Sequence, residues 1–229
     1  MTSSTSIPAQ VGPGRRRSLG PTDVVDAAIH LLDTEGATGL SIRAIAARLG
    51  VNPNAVYTYV ADRAALEGEV VERVLSEADI TLLAGPTRSW RRRISRYAAS
   101  LREALLSHPG AVHLFMTAPM TGPTALAVGE GLLDALIDAG ISPRDAARGT
   151  YPLIVYVLGS VALEVAETDG RVPLTPEADR IAVRRMGFEA APSAGFPRTA
   201  AAADTMAQWI GGAQFEWGLA RLLDGLTRA

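Results

Sequence analysis

Cysteine and lysine are both missing from the 229 residues of this chain. Without cysteine there is neither a disulfide framework nor a thiolate metal site. Every basic residue is arginine, a usage that fits a GC-rich genome and carries no chemistry of its own. No transmembrane span is visible in the sequence, although 48% of the residues are hydrophobic. The opening MTSSTSIPAQVGPGRRRS lacks the apolar stretch of an export signal, so a cytoplasmic location and no membrane partner are expected. Internal repeats and strand-like alternation are absent. The formal net charge is only -2, so the protein is no basic nucleic-acid coat, and any DNA contact must come from local charge. The three histidines, His30, His108 and His113, make no HExxH, and no phosphate-binding glycine loop is present. Gly159-Ser160-Val161 is not a nucleophile elbow. An enzyme is therefore not expected, nor any cofactor or bound metal.

What is present begins with SIRAIAARLGVNPNAVYTYVADRAAL, residues 41–66. Ser41 can cap a helix whose Ile42, Ile45, Ala46 and Leu49 share one face. Gly50 permits the left-handed backbone of a sharp turn. Asn52-Pro53 then restarts a helix, predicted over 52–60, with a good cap and proline at its first position. Val56 supplies its apolar contact and leaves Asn54, Ala55, Thr58 and Tyr59 mainly outward. Ahead of the motif, Thr22 to Glu35 carries an apolar stripe of Val25, Ala28, Ile29 and Leu32, and Gly36 to Gly39 breaks it. Asp62 caps a connector helix expected over about 62–80. Residues 41–61 contain Arg43 and Arg48 and no acid, while Arg15, Arg16 and Arg17 precede helix 1. That arginine run reads either as a solvated tail or as an arm that tracks phosphates or the minor groove.

The residues 27–32, 39–51 and 56–60, continuing into Asp62-Arg63-Ala64-Ala65-Leu66, make this region resemble the TetR family of bacterial repressors. The resemblance implies an all-α fold: a flexible arm over 1–18, a three-helix helix-turn-helix domain over 19–66, and a ligand-binding and dimerisation domain over 67–229. It implies that Arg43 reaches a guanine, whose O6 and N7 suit a guanidinium fork, or else a phosphate. Tyr57 and Tyr59 fall at positions used for phosphate and sugar contacts. Arg63 replaces the usual lysine at the start of the connector, where a helix N-terminus also favours a phosphate. Asn52, Asn54, Ala55 and Thr58 would be the variable base readers. The partners implied are a palindromic double-stranded operator, a second copy of the chain, and a small-molecule inducer of unknown identity.

Beyond residue 80 the periodicity predicts helices over Ser89–Ser107, Thr124–Ala139 and, after a Ser142-Pro143 start, on to about Thr168. Pro152 should kink or split the last of these. The segment 169–200 reads as a long mobile connection holding one helix, Glu177–Met186. A final helix is expected from about Thr199 to Thr227, with Gly211, Gly212 and Gly218 requiring close packing or a bend.

The resemblance continues more weakly, toward the tetracycline-repressor branch of the family, at Trp90-Arg91, residues 102–106, residues 111–114 and residues 141–146. On that basis His113 falls where a histidine holds the magnesium of a drug complex. A lone histidine in an apolar run is equally a hydrogen-bonded core residue, and no metal is expected. Tyr97 and Leu101 stand where that branch has an asparagine and a phenylalanine, so its polar recognition pattern is not reproduced. Phe115, Met116, Met120, Tyr151 and Tyr156 complete the pocket candidates, and each also suits an ordinary core. The stretches Tyr151–Val165 and Met206–Leu223 would form the dimer's four-helix bundle. The function implied is a ligand-responsive transcriptional repressor. The alternative is a helical ligand-binding or interaction protein without sequence-specific DNA binding.

Overall fold

The structure, a computed structural model, describes residues 19–118, 120–192 and 194–226. The Arg15 to Arg17 run lies outside the described residues. Among the described residues there are ten α-helices and several 3-10 turns, and no strand.

Helix α1 (Pro21–Glu35) starts with the Asp23 carboxylate accepting from the Gly20 amide at 2.8 Å and proline in its first turn. In α2 (Ile42–Leu49) the Ser41 hydroxyl accepts from the Ala44 amide at 3.1 Å. Gly50 ends it at φ 66, in the left-handed region that any side chain would strain. Helix α3 (Pro53–Val56) is shorter than the 52–60 expected. Past Val56 the amides of Thr58 and Tyr59 bond three residues back, a tighter turn that suits the β-branched and aromatic run Val56 to Val60. Helix α4 (Arg63–Leu75), capped by Asp62, stops before the expected 80 and gives way to a 3-10 turn, Ile80–Leu83.

The larger body follows: α5 (Trp90–Ser107), a 3-10 segment (Pro109–Met116), α6 (Pro123–Asp138), α7 (Pro143–Ala166), α8 (Glu177–Glu189), α9 (Pro197–Ala207) and α10 (Gly212–Leu226). Helix α7 runs through Pro152 without being split. Contrary to the expectation that no such segment exists, α7 is long and apolar enough to cross a membrane by length and composition, with a hydropathy of 1.5. Its polar anchor lies inside the fold: the Glu164 carboxylate, 3% exposed, accepts from Arg102 at 2.7 and 2.9 Å and from Arg180 at 2.7 Å. That ion cluster fastens α5, α7 and α8 together.

The predicted last helix is two helices. Arg184 of α8 donates to the carbonyls of Ala207 (2.7 Å) and Ile210 (2.8 Å), satisfying them where the helix breaks. Gly218 lies against Tyr156, whose hydroxyl donates to the Phe215 carbonyl at 2.9 Å. The glycine-rich sequence therefore serves both a break and a close approach.

Candidate nucleic-acid interface and ligand chamber

The helix-turn-helix presents one acid-free outer face. Val56 is wholly buried under it and Tyr57 is 52% exposed on it. Asn52, Asn54, Thr58, Arg43 and Arg48 are exposed, with Ala55 half-buried between them. Asn52 spends its side-chain oxygen on the Asn54 amide at 2.9 Å, as a cap does. Neither Arg43 nor Arg48 has a hydrogen-bond or ion-pair partner among the described residues. Two residues expected to contact phosphate or sugar have partners within the fold. The Tyr59 hydroxyl donates to the Leu19 carbonyl at 2.6 Å, so it ties the end of this motif to the start of α1. Arg63 is paired with Glu67 at 2.7 Å, although 60% of its side chain remains exposed.

Inside the body lies a cavity of about 340 Å³. Of the expected pocket residues, Tyr97, Leu101, Phe115 and Met120 line it. His113, Met116, Tyr151 and Tyr156 do not, which corrects their grouping with the others. The reason is the geometry of Pro109–Met116, where three residues per turn bring positions three apart onto one side. Val112 and Phe115 therefore point inward, while His113 and Met116 point out together. The His113 Nδ1 pairs with the Gly110 carbonyl at 2.9 Å. Tyr151 is 71% exposed, and Tyr156 is engaged with α10. Among the described residues no three His, Asp or Glu side chains converge on a metal-sized site.

Tyr97 is 2% exposed, and its hydroxyl has no hydrogen-bond partner among the described residues. Burial pushes the phenol pKa well above its usual range, so it stays protonated. The mouth of the cavity falls at exposed Leu126 and Glu130, one turn apart on α6.

Three contacts that sequence reasoning missed join this chamber to the helix-turn-helix. Gly110 meets the last turn of α1 so closely that a Cβ there would sit 2.0 Å from the Leu32 carbonyl oxygen. His108 bonds Asp33 of α1 through Nδ1 and Glu77, just past α4, through Nε2, each at 2.8 Å. The Asp33 bond raises the histidine's pKa, burial opposes it, and Glu77 adds to the rise. Finally, the Glu72 carboxylate of α4 accepts from the first amides of α6, Thr124 at 2.7 Å and Ala125 at 3.1 Å. The His-Pro pair at 108 and 109 reads in the sequence only as a helix end.

A capped helix-turn-helix with free arginines on its outer face, bonded to a helical body that encloses an apolar chamber, defines a DNA-binding regulator that responds to a ligand. The chain belongs to the TetR family: residues 84–229 match the tetracyclin repressor-like C-terminal domain, and residues 24–70 match the N-terminal domain of bacterial regulatory proteins of the tetR family. It is similar to the tetracycline repressor protein class A from transposon 1721 of Escherichia coli, with 31% identity over 92% of this chain and 91% of that one. An HTH-type transcriptional regulator of Saccharopolyspora erythraea is 36% identical over 62% of this chain, which spans only 59% of that relative's length. In fold it is similar to ActR, a TetR family protein of Streptomyces coelicolor solved with (S)-DNPA, at a TM-score of 0.78, 23% identity and coverage of 92% and 98%. These relatives are transcriptional regulators, and this chain is a ligand-responsive DNA-binding repressor of the same type.

Proposed function

We propose that this repressor acts in the cytoplasm as a homodimer on a palindromic operator and leaves it when a small molecule fills the chamber. The observation that carries this reading is the outer face of α2 and α3, where Arg43 and Arg48 have no hydrogen-bond or ion-pair partner among the described residues and residues 41–61 contain no acid. On this reading Arg43 reads a base edge, and Asn52, Asn54, Ala55, Tyr57 and Thr58 supply the remaining contacts. Tyr59 sets the orientation of the motif through Leu19. Arg63 exchanges Glu67 for a phosphate at little cost, because an exposed ion pair contributes no more than about 1 kcal/mol. The head spans 19–66 and the body 67–229.

The dimer is supported by exposed apolar side chains at helical spacing on α7, Tyr151, Val155 and Leu163, with the bare Gly159 among them, and by Trp217 on α10. Release is supported by the joints at Gly110, His108 and Glu72, since Phe115 and α6 both line the chamber and both belong to elements held against α1 or α4. A ligand releases DNA only by binding the DNA-incompetent arrangement more tightly.

The test begins with selection of bound fragments from a random DNA pool. Arg43→Ala should weaken the selected site by about 1–3 kcal/mol and relax one base pair per half-site. Arg63→Ala should weaken all sequences alike and flatten the salt dependence. Equal effects of both changes on selected and random DNA would overturn the assignment.

A further inference from the structure

The chamber's chemistry is more specific than its location. Of the described side chains that line it, only Tyr97 and Glu130 are polar; the rest are aliphatic, aromatic or thioether, with one glycine. Glu130 stands at the exposed rim on α6, where water solvates its carboxylate, so it demands no counter-ion from an occupant. Tyr97 stands inside. Its hydroxyl is buried with no hydrogen-bond partner among the described residues, and a buried hydroxyl left in that state costs about 1–3 kcal/mol. The phenol remains a donor at any physiological pH, because burial disfavours its ionised form. An anion would have to shed its hydration into a wall that offers no opposite charge and one hydroxyl, and a cation would find a carboxylate, Glu130, only at the solvated rim.

We infer that the ligand of this chamber is an uncharged, largely hydrophobic small molecule carrying one hydrogen-bond acceptor, such as a ketone, that takes the proton of the Tyr97 hydroxyl in a hydrogen bond. This inference rests on the proposed role of the chamber and adds the ligand's class. It also separates the chain from the tetracycline repressors it is similar to. Tetracycline is an oxygen-rich chelator of divalent cations, and an apolar wall with one phenol leaves most of those oxygens without partners. A hydrophobic pocket discriminates weakly by shape, but a polar group denied its partner is rejected strongly. The selectivity of the chamber therefore lies in what it excludes, namely charge and multiple polar groups, together with one bond that it rewards. At about 340 Å³ the cavity is at the lower end of small-molecule pockets, which suits a compact bicyclic or tricyclic skeleton.

The experiment is calorimetric titration of the full chain with a matched set of probes: 2-acetylnaphthalene, 2-ethylnaphthalene, 2-naphthoate, 2-(aminomethyl)naphthalene as its cation, and tetracycline with magnesium. The ketone should bind about three- to tenfold more tightly than the hydrocarbon, which is the worth of one buried hydrogen bond. The anion, the cation and the magnesium–tetracycline complex should bind weaker still. In Tyr97→Phe the gap between ketone and hydrocarbon should close, while the melting temperature is not lowered, because the variant removes an unsatisfied hydroxyl rather than a contact. A Cβ at Gly129, which lines the chamber, meets open space, so Gly129→Leu should abolish binding of both neutral probes. The inference is overturned by tightest binding of a charged probe or of tetracycline, by a ketone preference that survives Tyr97→Phe, or by wild-type affinity in Gly129→Leu. Release of selected DNA is followed in the same samples. Probes that bind with this selectivity but never release DNA would defeat the proposed function and leave the ligand class standing, whereas release by a charged molecule seated in the chamber would do the reverse.

Discussion

The head and the body of this repressor keep their working residues in opposite places. In the helix-turn-helix the residues proposed to meet DNA, Arg43, Asn54, Tyr57 and Thr58, project into solvent, and the fold beneath them is held by Ile45, Ala46 and Val56. In the body the residues proposed to meet a ligand, Tyr97, Leu101 and Phe115, are themselves part of the buried core. A surface reader can change without loosening its scaffold. A chamber lining cannot, because each side chain there also holds up its neighbours. Mutational phenotypes in the two regions should therefore differ in kind.

The sharpest way to expose that difference is to strike a buried group of the body that touches neither ligand nor DNA. Glu164→Ala leaves the Arg102 guanidinium buried without its carboxylate and Arg180 with only the longer Glu167 pair at 3.5 Å, and should cost about 3–5 kcal/mol in chemical denaturation. DNA binding should fail only as the protein unfolds, and a stable Glu164→Ala that no longer bound DNA would break the distinction. A smaller loss is expected at the junction. Gly110→Ala forces a methyl against the Leu32 carbonyl and should destabilise by about 1–3 kcal/mol, since overpacking moves backbone. Unlike Glu164→Ala, it should alter operator affinity even in molecules that remain folded, which anisotropy below the melting transition would reveal.

The weakest effect should be a dependence on pH at His108. Bonded to Asp33 and Glu77, with Arg73 paired in turn to Glu77 at 2.8 Å, this imidazole has a folded pKa above its ordinary value. Its charged form therefore stabilises the fold fully below about pH 6.5, the unfolded value, and that contribution is lost as pH rises through the higher folded value. Thermal melts of wild type and His108→Gln should converge as pH is raised across this window. A difference between them that stayed constant would show that the imidazole does not titrate at the junction.

The head was more legible in the sequence than the body, for a reason of range. Ser41, Gly50, Asn52-Pro53 and Asp62 act on backbone within three residues of themselves, so each start and stop could be read where it stands. The break between α9 and α10 could not, because Met206, Trp209 and Ile210 continue an apolar period straight across it. Its carbonyls are satisfied by Arg184, more than twenty residues earlier. Likewise Phe115 and His113 sit in one apolar run, and only the 3-10 winding of Pro109–Met116 sends one inward and the other out. Periodicity places apolar residues on a buried face, but it does not distinguish packed core from chamber wall. The same holds for Tyr97, whose isolation depends on partners absent from every neighbouring helix.

The contact between Gly110 and Leu32 has a bearing on how such a molecule can change over generations. It is made of backbone on both sides, and backbone is the part of a protein that most substitutions leave unaltered. The outer face of α3 can drift toward new sequences, and the wall of the chamber, at a cost in packing, toward new skeletons, while this backbone contact between them keeps the same shape. Only position 110 itself is closed to variation, because any side chain there meets the carbonyl. One residue with nothing to mutate thus leaves the two halves free to acquire new specificities separately and still act on each other.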